Sequence, residues 1–320
     1  MELVKVENAS NAVSVTHRLD FSDFFRKWVQ FLDVSPLSVR AYTTHVRLFL
    51  VWLSNNGITQ PTRTDLILYR DSLMTNHQPS SVGCALNSIR LFFEYCEMSG
   101  LYGNIAKHVK SPKQDRGFKR DYLTSVQSKE LLSTCDEPNN TVQSLRDRAI
   151  LAVMLTTGLR TVSIINADIG DIGTVGDCTV LYYLGKGRSD KSVFVKLTAP
   201  VEHALRKYLS IRGEVKDSDP LFASVSNRDK GGRLTTKSIR RMVKSRLKKI
   251  GLNSRRVSAH SLRHTTATLC LQSGSSLSEV QQLLDHASIS TTTAYTHLQS
   301  RIQSQSEQRV SDLIFGSASN

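Results

Sequence analysis

Acid is what this chain is short of. Its 320 residues carry 28 Asp and Glu against 42 Lys and Arg, a formal net charge of +14. No cluster of acids suggests a catalytic metal pair, and no GxxxxGK[ST] run would cradle a nucleoside triphosphate. Paired thiols are missing as well. The five cysteines (Cys84, Cys96, Cys135, Cys178 and Cys270) are odd in number, widely spaced and without a CxxC pair. That excludes a disulfide frame or a cysteine zinc site and fits reduced thiols in a cytoplasmic protein. No apolar run approaches the roughly 18–20 residues of a membrane span, and the opening MELVKVENAS has no signal-peptide core. Internal repeats and low-complexity stretches are absent too. What these absences leave is a soluble, basic, intracellular protein of two domains, with no membrane partner, metal or cofactor expected.

The charge that is present is unevenly placed. Between Arg228 and Arg256 stand twelve basic residues and one acid, Asp229, and between Lys107 and Arg120 six basic residues and one acid, Asp115. Either run alone reads equally well as a solvated face. Two runs in a chain of pI about 9.7 point to nucleic acid.

Periodicity divides the chain. Residues 1–17 show no strong pattern and read as a flexible N-terminus. From 18 to 103 the period is helical. FSDFFRKWVQFL is one helix; Ser35-Pro36 opens a second, with Val39, Tyr42, Val46, Phe49, Leu50 and Leu53 on one face. Thr62–His77 and Pro79–Met98 complete a four-helix domain. Residues 104–121, charged and poor in apolar side chains, read as a basic linker whose Lys107, Lys110 and Lys113 suit phosphate contact. Residues 122–298 are mixed. Leu145–Thr157 is an apolar helix broken at Gly158, and TVLYYL and SVFVKL flank the polar turn GKGRSDK as a hairpin. Thr236–Ile250 is a basic amphipathic helix whose Arg240, Arg241 and Lys244 suit the major groove and backbone of DNA. Ser276 and Glu279 form a capping box. The tail 299–320 carries Ile302, Val310, Leu313, Ile314 and Phe315, which dock either on a neighbouring subunit or on their own domain.

Four short segments of the second domain suit a phosphate diester: TTGLRT with Arg160, YLGKGRS with Lys186, AHSLRHTT with His260 and Arg263, and LLDHASISTTTAYTHL with His286 and Tyr295. Singly, each reads more simply as a helix-end charge, a solvated turn or a packed ring. Together they supply a chemistry. Two guanidiniums, Arg160 and Arg263, can clamp non-bridging oxygens with paired N–H donors. Tyr295 would attack phosphorus as a phenolate, Lys186 would protonate the leaving oxygen, His260 would exchange a proton with the tyrosine, and His286 would bond the phosphate. His264 and His297 are assigned to packing or phosphate contact.

In order, spacing and residue type these segments resemble the signature of the tyrosine recombinase/integrase family: an early Arg, a hairpin Lys, His-x-x-Arg, then His and a tyrosine nucleophile. The resemblance runs over roughly residues 20–315. It is most specific at His260-Ser261-Leu262-Arg263-His264 and at Leu284, His286, Thr291, Thr292 and Tyr295. It implies a mainly α fold with a small antiparallel β-sheet, in which a four-helix core-binding domain and an α+β catalytic domain form a C-shaped DNA clamp. It also implies a site-specific DNA recombinase acting through a 3′-phosphotyrosine and a Holliday junction. The partner would be double-stranded DNA with specific recombination sites, bound by a homotetramer on two sites or a hetero-tetramer with a related recombinase. The protein would be cytoplasmic, bacterial or phage-encoded, and nucleoid-associated. No arm-binding module is apparent before residue 20, as in Xer-like or transposon-type members. Two positions depart from the family pattern. Ser163 stands where an acid is common, and Asp285 where Gly is common, a carboxylate that either retunes His286 or points outward. The competing readings are a type IB topoisomerase-like relaxing enzyme and a non-catalytic DNA-binding regulator on the same scaffold.

Overall fold

A serine followed by proline starts a helix because the hydroxyl accepts an orphan N–H and the ring presets φ. In the computed structural model, which describes residues 21–113, 121–185, 187–188 and 190–285, the Ser35 hydroxyl accepts from the Ser38 N–H at 3.3 Å and opens α2 (Pro36–Asn55). Before it runs α1 (Phe21–Phe31); after it come α3 (Arg63–Met74) and α4 (Pro79–Met98). At the start of α3 the Asp65 carboxylate accepts from the Thr62 N–H at 2.7 Å, which anchors the first turn. The apolar faces meet in an aromatic core. Trp28, Phe49 and Phe92 are fully buried, and Trp28 meets Phe92 edge-on at 5.3 Å between ring centroids.

These helices form one of two compact units into which the chain divides, the first ending at Arg116 and the second starting at Gly117. Residues 104–111, read from composition as the start of a linker, belong to the first unit. Ala106 and Val109 are buried, and Arg90 donates to the Val109 carbonyl at 2.7 Å and to the Ser111 hydroxyl at 3.0 Å. The apolar anchors there are too few and too irregular for a period to reveal. Lys107, Lys110 and Lys113 remain exposed on this segment.

The second unit is built around α6 (Val142–Thr157), buried nearly all round, against which α8 (Ala199–Arg212) packs. A helix apolar on every side belongs in an interior. Before it lies α5 (Ser125–Ser133) and after it the short α7 (Thr161–Asn166). The three strands among the described residues, β1 (Ile172–Val175), β2 (Cys178–Tyr183) and β3 (Val193–Lys196), form an antiparallel meander. Its register pairs Ile172 with Leu181 and Tyr183 with Val193. The hairpin expected around GKGRSDK is therefore present. The last helices among the described residues are α9 (Thr236–Lys249), α10 (Ala259–Gln272) and α11 (Leu277–Leu283). The Ser276 hydroxyl accepts from the Glu279 N–H at 3.2 Å while the Glu279 carboxylate accepts from the Ser276 N–H at 2.6 Å, the capping box read from sequence. The described chain is mainly helical with a small antiparallel sheet, as expected. No described helix is long and apolar enough to cross a membrane.

Candidate active site

Helix α10 carries two of the proposed catalytic groups, and hydroxyls lock it onto its neighbours. The Thr266 hydroxyl donates to the Leu155 carbonyl of α6 at 2.9 Å, and Thr265 accepts from the Leu123 N–H at 2.8 Å. Arg263 is thereby held in the interior, 4% exposed. Its Nη1 donates to the Gly158 carbonyl at 2.8 Å and its Nη2 to the Leu284 carbonyl. One guanidinium thus ties the end of α6, the middle of α10 and the end of α11. Gly158 is a glycine for two reasons: its φ is +65°, and a Cβ there would come 2.5 Å from the Leu284 Cδ2. Two residues on, Arg160 stands half-buried as the N-cap residue of α7.

Arg160, His260 and Arg263 line one cleft of about 440 Å³, together with Ser258 and Arg240. The His260 ring meets that of His264 edge-on at 4.8 Å. Three guanidiniums and an imidazole converge here from α7, α9 and α10. Such a set can bind a dianionic or monoanionic oxygen cluster and neutralise charge that grows on it.

The hairpin borders this region. The Ser163 hydroxyl donates to the Leu184 carbonyl at 3.4 Å, so the side chain that replaces the family's acid steadies the end of β2. Lys191, on the returning arm, donates to the carboxylates of Asp168 at 2.6 Å and Asp171 at 2.5 Å. Burial alone would lower its pKa, but these two partners outweigh it and raise it. Tyr183 lies beneath, 3% exposed. Burial pushes its phenol up and the Asp285 carboxylate adds to that, while Arg263, Arg160 and Arg188 pull it down.

Of the six catalytic candidates the structure brings together Arg160, His260 and Arg263; Lys186, His286 and Tyr295 lie outside the described residues, as does the tail 299–320. Among the cations assigned to general DNA contact, Arg241 is exposed and Lys244 donates to the Ser254 carbonyl at 2.6 Å. Arg240 is the surprise, since it enters the same cleft as the arginine pair. Helical spacing puts Arg240 on the polar face of α9 but cannot say what that face meets. Tyr183 and Arg188 lie within the segment YLGKGRS, but the sequence reading gave a role there to Lys186 alone.

Residues 121–301, more than half of the chain, match the phage integrase family. The chain belongs to that family. It is a tyrosine recombinase, an enzyme of site-specific DNA recombination. It is 32% identical over 272 residues to the tyrosine recombinase XerC of Pelobacter propionicus, covering 83% of this chain and 86% of that one. To XerC of Myxococcus xanthus it is 34% identical over 274 residues, covering 82% and 88%. Among solved structures, the XerH site-specific recombinase bound to its palindromic difH substrate superposes with a TM-score of 0.71 at 22% identity, over 92% of this chain and 83% of that one. A lambda integrase tetramer bound to a Holliday junction gives a TM-score of 0.62 at 16% identity, over 84% and 77%. At those identities the structural likeness speaks to fold alone.

Proposed function

We propose that this recombinase cuts one DNA strand at a time through Tyr295, storing the bond as a 3′-phosphotyrosine and releasing a 5′-hydroxyl. That hydroxyl then attacks the 3′-phosphotyrosine of the partner strand, forming a new P–O bond as the tyrosine oxygen leaves and takes back its proton, and exchange of the first pair of strands gives a Holliday junction. The observation that carries this reading is the convergence of Arg160, Arg263 and His260 in one cleft. In the reaction the arginines bind the non-bridging oxygens and stabilise the charge that builds on them as the phosphorus becomes five-coordinate. Tyr295 oxygen forms the new P–O bond as the sugar oxygen leaves. His260 takes up the phenolic proton, and His286 bonds the phosphate.

The leaving oxygen needs a proton. The hairpin turn offers two lysines, and Lys191 is committed to Asp168 and Asp171, so Lys186 is assigned the role of general acid. The P–O bond is exchanged rather than hydrolysed, so no external energy source is required. DNA is bound through Arg240 and Arg241 of α9 and through Lys107, Lys110 and Lys113 of the first unit, all from exposed or cleft positions. Binding through this many cations falls steeply with salt. The active assembly is a homotetramer on two duplex sites, or a mixed tetramer with a related recombinase.

The test is covalent trapping on a nicked suicide-substrate DNA library, with sequencing of what becomes attached. Wild type should give a protein–DNA adduct at a defined phosphate. Tyr295→Phe should bind the same DNA and yield none, and an undiminished adduct in that variant overturns the nucleophile assignment.

A further inference from the structure

The stretch of hairpin that carries Lys186 is tied down on both sides, and both ties run to one short piece of chain. Before it, the Ser163 hydroxyl of α7 donates to the Leu184 carbonyl at 3.4 Å. After it, the Lys191 ammonium donates to Asp168 at 2.6 Å and to Asp171 at 2.5 Å, just beyond α7. Between the two ties the Arg188 N–H donates to the Gly185 carbonyl at 3.3 Å, and Gly187 takes φ +78°, which draws Gly185 and Arg188 together. The acids are fixed independently of the lysine. Asp171 accepts from the Asp168 N–H at 2.6 Å, and Arg233 donates both to Asp168 and, at 2.7 Å, to the Ile165 carbonyl near the end of α7. That helix starts at its N-cap residue Arg160, which lines the cleft. The arginine of the cleft and the two ties of the hairpin are thus mounted on one element.

The clasp adds little to stability. The Lys191 side chain is 28% exposed and those of Asp168 and Asp171 are 26% and 14% exposed, and ion pairs open to water contribute about 1 kcal/mol or less. Distance is more sensitive. A general acid must come within about 2.6–3.2 Å of the atom it protonates, and a misplacement of about 1 Å can cost roughly 100-fold in rate. We propose that Lys191 is a positioning residue: through Asp168 and Asp171 it sets the hairpin against α7, so that Lys186 meets the leaving oxygen of the phosphate bound by Arg160. The inference rests on the assignment of Lys186 as general acid.

The experiment follows single-turnover cleavage by the full chain on two versions of the suicide duplex. One has the natural linkage at the phosphate mapped by covalent trapping; in the other, sulfur replaces the bridging 5′-oxygen. On the first, the P–O bond breaks and the departing oxygen takes the Lys186 proton. On the second, the P–S bond breaks and sulfur departs as a thiolate, which needs no proton because thiols ionise at about pH 8.5. Lys191→Met keeps the stem and drops the charge. It should cleave the natural linkage about 10-fold to 100-fold more slowly than wild type, and the sulfur linkage as fast as wild type. Lys191→Arg, which still offers donors to both carboxylates, should recover most of the natural rate. Lys186→Met should show the same pattern with a larger loss, and Arg263→Lys should stay slow on both linkages. A Lys191→Met variant equally slow on both, or unimpaired on the natural one, overturns the proposal and leaves Lys186 in its role. A Lys186→Met variant slow on the sulfur linkage overturns the general-acid assignment, and the proposal with it. If Lys191→Met folds poorly, Asp171→Asn weakens the same clasp and repeats the comparison.

Discussion

The two units have cores of different materials. In the first, rings do the work: Phe24, Trp28, Phe49, Phe92 and Phe93 interlock, and the one buried polar side chain among its described residues is Ser88. The second core is largely aliphatic and holds three buried arginines, Arg146, Arg246 and Arg263. Asp147 accepts from two of them, Arg146 at 2.8 Å and Arg246 at 3.0 Å, and backbone carbonyls of Ala223 and Thr134 take further donors. Burying ions costs solvation that their pairing rarely repays in full. The first unit needs only a rigid frame for exposed lysines, which apolar packing supplies most cheaply. The second must hold guanidiniums at fixed angles, and hydrogen bonds to backbone carbonyls do that where apolar contacts cannot.

Arg263→Lys attacks that contrast most directly. A lysine cannot reach both the Gly158 and Leu284 carbonyls while presenting a fork to phosphate. Adduct formation should fall by about 100-fold to 1000-fold, measured as a single-turnover rate on the suicide substrate, with duplex affinity changed far less. Trp28→Ala is the counterpart in the other unit. Emptying that fully buried site should cost about 3–5 kcal/mol, seen as loss of the first unit's transition in denaturant unfolding. An activity loss without that destabilisation would contradict a purely scaffolding core.

The smallest effect concerns the ionic clasp at the base of the hairpin. Burial would raise the Asp168 pKa, but hydrogen bonds from Lys191 and Arg233 more than offset this and hold it below its ordinary value. A depressed carboxyl stabilises the fold above its unfolded pKa of about 3.9, and that support is lost as pH falls through the lower folded value. The Lys191 pKa is raised, so its share is fully present below the ordinary lysine range and fades only at strongly alkaline pH. Asp168→Asn should therefore be less stable than wild type at neutral pH, by less than about 1 kcal/mol given partial exposure. The gap in thermal midpoint should close as pH drops below about 4. A gap that persists in acid would mean that Asp168 acts through packing and not through charge.

Much of the fold was legible in the chain because it is set by neighbours in sequence. Pro79 and Met98 bound a helix where the residue pattern starts and stops, Gly158 ends α6 in the left-handed conformation only glycine adopts freely, and Ser276 with Glu279 cap α11. Arg160, His260 and Arg263 were legible as chemistry because their types and spacing suit a phosphate. Contacts across the chain were not. Arg246 looked like one more surface cation in a basic run, yet it is drawn inward by Asp147, 99 residues away. Residues 104–111 looked like linker because their apolar anchors have no period. Arg240 looked like a groove-facing cation and stands in the cleft with the arginine pair.

Sequence by itself determined the four helices of the first unit, α6, α9, the cap of α11 and the hairpin, since each depends on residues close to one another in the chain, and it marked by residue type a set of groups suited to a phosphodiester. Tertiary structure alone decided which cations face inward, that Arg263 spends two donors on the backbone, and that Asp285 lies beside Gly185 of the hairpin. The reason is physical: a guanidinium takes whichever acceptors packing brings within about 3 Å, and packing is a property of the folded chain as a whole.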